Sequence, residues 1–138
     1  MQDKITREII KSPQAMQDLW ADIAQTHKKI LLYGELWAGK TLFTKWFALW
    51  LGIDQKIVQS PTYTYINNYD NKLLHADFYR LENYQELVEK WILEEIYNYE
   101  HNIIERPKFE EKIDYSEYFK IKIIKTSDTE RIIEYLQV

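Results

Sequence analysis

The chain has 138 residues, a formal net charge of −4 and no cysteine. This length suits a single domain covering residues 1–138. The lack of cysteine excludes disulfides, thiolate zinc sites and thiol catalysis, and the acidic balance argues against a surface devoted to nucleic acid. No apolar stretch approaches the length of a membrane span, so we expect a cytoplasmic protein with no membrane partner.

The N-terminal half of the chain predicts two strand and helix pairs. Residues 4–10 form a strand, and Ser12 with Pro13 provides the N-cap and first turn of an amphipathic helix that runs to about residue 25. Residues 29–33 are the continuous apolar run of a central parallel strand, and residues 40–51 form the next helix. Such units are typical of a nucleotide-binding sheet.

The segment between the second strand and the second helix is a phosphate-binding loop of the form G-x-x-x-x-G-K-[ST]. Its glycines let backbone N–H groups turn toward phosphate oxygens, its lysine reaches the β- and γ-phosphates, and its threonine hydroxyl ligates Mg²⁺. The helix that follows directs its positive end at the same anion. We therefore expect a nucleoside triphosphate with Mg²⁺ at Gly34-Glu35-Leu36-Trp37-Ala38-Gly39-Lys40-Thr41.

The C-terminal half predicts paired strands and one further helical stretch. The predicted elements are strands at residues 63–69, 72–76 and 102–105, a helical stretch at residues 83–98, and a closing hairpin of residues 118–125 with residues 131–136. The resulting fold class is α/β of the P-loop NTPase type. Its central sheet is mostly parallel, with an antiparallel portion and flanking helices.

Two carboxylates close predicted strands and are candidates for metal and catalytic chemistry. Asp77 ends a strand where a carboxylate could hold Mg²⁺ directly or through water, or it could be a turn aspartate. Glu105 could orient the attacking water or complete the metal shell, or it could be a solvated strand end. The residues alone leave both pairs of alternatives open.

Three further polar features lie near these strands. Ser60-Pro61-Thr62 occupies the loop after the P-loop helix, where nucleotide switches place a hydroxyl that senses the γ-phosphate, or it is a proline-stiffened turn. Arg80 could neutralise charge in a transition state, or it could pair with a carboxylate. We predict that His75 is a packed or turn histidine and not a base.

Together, these motifs resemble the TsaE family, the small bacterial P-loop ATPases needed to make N6-threonylcarbamoyladenosine in tRNA. The resemblance rests on residues 32–41, on Ser60-Pro61-Thr62-Tyr63-Thr64, on His75-x-Asp77-x-Tyr79-Arg80-Leu81 and on Glu105-x-Pro107. These segments stand in the family's order and extend over nearly the whole chain. The second and third segments together are the more specific signal, because many NTPases share the first.

The resemblance implies an ATPase that acts with TsaD-like and TsaB-like proteins and meets tRNA only indirectly. It implies catalysis by Lys40, Asp77 and Glu105, with Mg²⁺ held by Thr41 and the same two carboxylates. Ser60, Pro61 and Thr62 would form the switch-like segment. The implied nucleotide contacts are Ser12, Gly34, Glu35, Leu36, Trp37, Ala38, Gly39, Lys40, Thr41, Leu42 and Arg131.

Two other classes of function remain open. The first is a small-molecule kinase that uses the same loop, which is disfavoured because the chain is short and shows no evident arginine-rich lid. The second is a nucleotide-binding module inactivated by Trp37. A ring of this size is poorly tolerated where inward N–H groups usually need positive φ or close approach of the backbone to the ligand.

The tryptophans suggest a hypothesis about decoding. The resembled family favours glycine at all five of them, Trp20, Trp37, Trp46, Trp50 and Trp91, and it usually has Trp in place of Arg106 and Thr in place of Leu42. We hypothesise a lineage that reads UGA as glycine, in a chain translated as if UGA meant tryptophan. Restoring glycine would raise the glycine count from three to eight, near the roughly 7% norm. The alternative is a lineage-specific surface with genuine aromatic residues.

The gene sequence tests this decoding hypothesis. We expect TGA codons at Trp37 and Trp46, and TGG codons at these positions would end the hypothesis. Where TGA is found, Trp37→Gly should raise the affinity for ATP in calorimetry, because glycine returns the loop to a backbone conformation that the triphosphate can enter.

Overall fold

The computed structural model describes residues 4–35 and 38–137. Its strands are β1 (Lys4–Ile10), β2 (Lys29–Gly34), β3 (Ile66–Tyr69), β4 (Leu73–Asp77), β5 (Asn102–Glu105), β6 (Phe119–Lys125) and β7 (Arg131–Gln137). Its helices are α1 (Pro13–Thr26), α2 (Lys40–Trp50), α3 (Tyr84–Glu89) and α4 (Ile92–Asn98). The described strands form one sheet with the order β1-β7-β6-β2-β5-β4-β3.

Parallel pairs build the centre of the sheet, and antiparallel pairs flank it on both sides. β2 pairs in parallel with β5 and with β6, and β4 pairs in parallel with β5. On one side β7 runs antiparallel between β6 and β1, and on the other side β3 turns back on β4. The predicted α/β fold class, with a parallel centre and an antiparallel portion, is confirmed.

Helices cover both faces of the sheet because the central strands are apolar on both sides. Ile30 and Leu32 belong to a buried core cluster that also holds Phe43 of α2. Leu31, between them, belongs to a second cluster that holds Leu87 of α3. Successive side chains of β2 therefore serve opposite faces, as strand geometry requires. None of the described helices is both long and apolar enough to cross a membrane.

Two predicted elements differ from the structure at residues with positive φ. The strand predicted at residues 63–69 begins only at Ile66, because Tyr65 has φ +68° and its N–H donates to the Pro61 carbonyl at 2.8 Å. The helical stretch predicted at residues 83–98 is divided into α3 and α4 at Trp91, which has φ +64°. The other predicted elements lie within two residues of their observed bounds.

The tryptophans occupy unlike environments. Trp20 is buried and packs edge-on against Phe43, with ring centroids 4.8 Å apart. Trp50 and Trp91 are exposed, and Trp91 has the left-handed backbone that glycine adopts most easily. Trp37 lies outside the described residues. Within the described part of the chain, backbone geometry thus argues for glycine most directly at Trp91.

Replacing Trp91 by glycine should raise the free energy of unfolding by about 1 kcal/mol, because a left-handed backbone costs a residue with a side chain about that much. The ring is 69% exposed, so little buried area is lost. Urea denaturation measures the change. Trp91→Ala is the control, because it removes the ring and keeps the Cβ that opposes this backbone. Equal stability of the glycine and alanine variants would contradict the expectation.

Candidate nucleotide-binding site

A cavity of about 450 Å³ lies where the central parallel strands end. The strand register places Leu32 beside Glu105, and Glu105 beside Asp77 on the next strand. Open α/β sheets bind their ligands at this edge. The cavity is lined by Gly39, Lys40, Thr41, Ser60, Thr62, Glu105 and Arg106, so residues predicted for phosphate, metal and switch roles meet around one space.

The two glycines of the loop are required for different reasons. A Cβ on Gly34 would lie 2.9 Å from the carbonyl oxygen of Ile123, so no side chain fits there. Gly39 has open space around it, but its φ of +114° is one that other residues rarely adopt. The ammonium of Lys40, the residue after Gly39, donates to the Gly34 carbonyl at 2.5 Å. The loop thus holds the buried lysine at the start of α2.

A second cleft, of about 290 Å³, shares Gly39 with the cavity. Ser12, which caps α1, and Arg131, which begins β7, both line it. Arg131 Nε donates to the Ala38 carbonyl at 3.0 Å and so braces the loop. The predicted nucleotide contacts that line this cleft are Ser12, Ala38, Gly39, Leu42 and Arg131. The backbone carbonyl of Glu35 accepts a hydrogen bond from the Ala38 N–H within the loop. Leu36 and Trp37 lie outside the described residues.

Glu105 is buried and held by a histidine. Its Oε2 accepts a hydrogen bond from His75 Nε2 at 2.5 Å, and its Oε1 lies 4.0 Å from Lys40 Nζ. His75 Nδ1 lies 3.0 Å from the hydroxyl of Tyr69, which donates to the Gln59 carbonyl at 2.8 Å. His75 is packed, as predicted, but the sequence analysis missed that it positions Glu105. The alternative of a solvated strand end for Glu105 is wrong.

Asp77 is also buried, and it joins β4 to the switch-like segment. Its Oδ2 accepts a hydrogen bond from the Thr62 hydroxyl at 3.2 Å, and the Ser60 hydroxyl lies 2.8 Å from that of Thr62. Its Oδ1 accepts from the backbone N–H of Tyr79 at 2.9 Å. Asp77 therefore has the turn role that was one alternative and also lies beside the cavity. Pro61 stiffens the segment at a buried position.

An arginine that the sequence analysis left without a role reaches the site. Arg106 forms a two-pronged ion pair with Asp77, and one of its N–H groups donates to the Thr62 hydroxyl at 3.2 Å. Arg80, the arginine considered from the sequence, lies over the rings of Tyr63 and Tyr65 at 5.2 and 5.8 Å. The available signals were that Arg106 directly follows the strand-ending Glu105 and that it stands where the resembled family usually has Trp.

The electrostatics of the cavity centre on Lys40. Burial is the main cause that lowers the pKa of its ammonium, and the positive charge of Arg106 lowers this pKa further. The carboxylates of Glu105 and Asp77 act in the opposite direction and raise it. A buried cation with a lowered pKa gains from a further anion. An anion bound beside Lys40 would therefore favour the charged form of this lysine.

The donor set at the cavity fits Mg²⁺ bound together with a nucleotide. The described residues contain no group of three or more His, Cys, Asp or Glu side chains able to hold a metal by themselves. Mg²⁺ in nucleotide sites uses one or two carboxylates, a hydroxyl, phosphate oxygens and water. Thr41 with Asp77 or Glu105 supplies oxygen donors of this kind.

Comparison with known proteins identifies the family of this chain. The model of the family described as "Threonylcarbamoyl adenosine biosynthesis protein TsaE" matches residues 10–133. The chain belongs to the TsaE family. This family is involved in the biosynthesis of threonylcarbamoyladenosine in tRNA, and the resemblance inferred from the motifs is confirmed.

Relatives and a solved structure agree with this family. The TsaE protein of Bacillus subtilis is 45% identical over 76 residues, which are 53% of this chain and 48% of that protein. The TsaE protein of Treponema pallidum is 44% identical over 59 residues, 41% of this chain and 43% of that protein. The chain thus spans about half the length of the curated relatives it matches. A crystal structure of Bacillus subtilis YdiB aligns with a TM-score of 0.71 and 28% identity over 100% of this chain and 88% of that one.

The lowered pKa of Lys40 makes nucleotide binding depend on pH. The negative charge of the triphosphate should raise this pKa again. At a pH between the Lys40 pKa of the free protein and that of the complex, the free protein therefore carries fewer protons than the complex. We expect proton uptake on ATP binding, measured by calorimetry in buffers of different ionisation enthalpy, to grow as the pH rises from neutral toward the ordinary lysine pKa of 10.5. Lys40→Arg is the control, since a guanidinium stays protonated throughout. Binding with no increase in proton uptake over this range would contradict the assignment.

Proposed function

We propose that this TsaE-family chain binds ATP with Mg²⁺ and hydrolyses it to ADP and phosphate. It does so in the cytoplasm for threonylcarbamoyladenosine synthesis in tRNA, together with TsaD-like and TsaB-like proteins, and it meets tRNA only indirectly. The observation that carries this proposal is the shared cavity. There the ammonium of Lys40, the hydroxyl of Thr41 and the carboxylate of Glu105 line one space at the start of α2.

Phosphate binding follows from the loop and from Lys40. The ammonium of Lys40 donates to the Gly34 carbonyl at 2.5 Å and is free to exchange this bond for phosphate oxygens of higher charge. Thr41 and Asp77 would hold Mg²⁺, which supplies positive charge to the transferred phosphoryl group. The adjoining cleft with Ser12 and Arg131 has room for the remainder of the nucleotide.

In hydrolysis, Glu105 would orient the attacking water. Water attacks the γ-phosphorus in line, so that a new P–O bond forms while the bond to the ADP oxygen breaks. Glu105 is suited to orient that water because His75 fixes its Oε2, which leaves Oε1 on the side of Lys40. Thr62, linked to Asp77, places a hydroxyl at the same cavity and can report the presence of the γ-phosphate.

Lys40→Ala should weaken ATP binding about a hundredfold, because charge-assisted hydrogen bonds to the triphosphate are lost. Calorimetry with ATP and Mg²⁺ measures the affinity. Lys45→Ala is the matched control, a lysine on the same helix that does not line the cavity, and it should bind as the parent does. Unchanged affinity in Lys40→Ala would remove the basis of the proposal.

Turnover separates the proposed enzyme from a binding module. ATP hydrolysis is measured with and without a TsaB and TsaD pair, and we expect it in the assembled complex. Glu105→Gln should lower that rate about a hundredfold while ATP affinity changes little, because its carboxylate acts chiefly as charge develops in the transition state. ATP binding without hydrolysis in any mixture would favour the inactive module, and phosphoryl transfer to added nucleosides would favour the kinase.

A further inference from the structure

Arg106 occupies a constrained position between the strands of the site. It directly follows β5, its backbone N–H donates to the Leu32 carbonyl at 3.0 Å, and its φ is +47°. A side-chain-bearing residue rarely adopts this backbone, and such residues concentrate at functional sites. The ladder bond to β2 therefore fixes the origin of the Arg106 side chain beside the phosphate loop.

The guanidinium engages both oxygens of Asp77. Nε donates to Oδ1 at 3.1 Å, and Nη2 donates to Oδ2 and to the Thr62 hydroxyl. Asp77 is only 1% exposed, and a carboxylate so far from water needs a compensating cation. The ring of Tyr79 lies 4.4 Å from the guanidinium carbon and supports it. Arg106 thus satisfies the carboxylate to which the proposed function gives a metal.

Arg106 also faces the cavity. It lines the same space as Lys40 and Glu105, and its charge contributes to lowering the pKa of Lys40. Two cations near one cavity repel each other unless an anion lies between them. Among the described residues its hydrogen bonds use Nε and Nη2, so the N–H groups of Nη1 can meet a phosphate while Asp77 is held.

We propose that Arg106 competes with Mg²⁺ for Asp77 and also supplies a cationic contact to the polyphosphate. This inference rests on the proposed nucleotide site. Asp77 already accepts four hydrogen bonds, two from Arg106, one from the Tyr79 N–H and one from the Thr62 hydroxyl. A metal ion therefore has to displace at least one of these bonds and to approach beside the guanidinium charge, so the two occupancies of Asp77 are coupled. Arg106 therefore opposes Mg²⁺ at Asp77 and favours the polyphosphate at the cavity.

Two affinities separate this inference from a structural role. The first is the affinity for fluorescent mant-ATP in EDTA, and the second is the Mg²⁺ concentration that gives half-maximal enhancement of mant-ATP binding. In Arg106→Gln the first should weaken about tenfold, because a charge-assisted phosphate contact is lost. The required Mg²⁺ concentration should fall about tenfold, because Asp77 loses its competing cation. A merely structural loss would weaken ATP binding in EDTA and raise the required Mg²⁺ concentration.

Arg80→Gln is the matched control, because this arginine lies over Tyr63 and Tyr65 and does not line the cavity. It should leave both affinities unchanged. Arg106→Lys is a second variant that keeps the charge without the two-pronged geometry. It should lower the required Mg²⁺ concentration about threefold and leave binding in EDTA unchanged. It decides the question if circular dichroism shows that Arg106→Gln does not fold.

The outcomes are distinguishable. No mant-ATP binding by the parent chain at any Mg²⁺ concentration would overturn the proposed nucleotide site and this inference together. Binding that depends on Lys40, with both affinities of a folded Arg106 variant unchanged or shifted in the same direction, would overturn the inference alone. Opposite shifts in Arg106→Gln with an unaffected Arg80→Gln would support it.

Discussion

The parallel pairing of β2, β5 and β4 is the constraint on which the site depends. It brings the carboxyl ends of three strands to one edge, so that the phosphate loop, Glu105 and Asp77 converge although they are far apart in sequence. A register slip of one residue would turn both carboxylates to the opposite face of the sheet. The packing of Leu31 and Leu32 into different core clusters opposes such a slip.

The buried carboxylates at this edge of the sheet also have to be compensated by neighbouring groups. Glu105 lies between His75 and Lys40, and Asp77 is held by Arg106, so each buried carboxylate has a cationic or proton-donating neighbour. Buried charges of this kind cost desolvation energy that ion pairing does not reliably return, and removal of one partner leaves the other uncompensated. Such an arrangement contributes little net stability, and its value lies in holding charged groups ready for a ligand of opposite charge.

Much of the fold could be predicted from the sequence because its signals are local. The apolar run before Gly34 and the helix cap at Ser12 each act within a few residues, and the strand and helix they imply are present. The meeting of Asp77 with Glu105 at this edge of the sheet was implied by the resemblance to the TsaE family, which gives both carboxylates to one Mg²⁺. Binding of ATP and Mg²⁺ at that edge stays a prediction.

The partners of buried polar side chains could not be predicted, because they are set by register and not by local pattern. Arg106 meets Asp77 only because β4 lies beside β5 in one particular alignment, and His75 meets Glu105 for the same reason. The sequence pointed to Arg80, whose place in a family motif is visible. It marked Arg106 only as a departure from the family's usual tryptophan, because the role of Arg106 depends on a contact between strands. The breaks at Tyr65 and Trp91 have a related cause, since neither residue type signals the positive φ that the fold gives it.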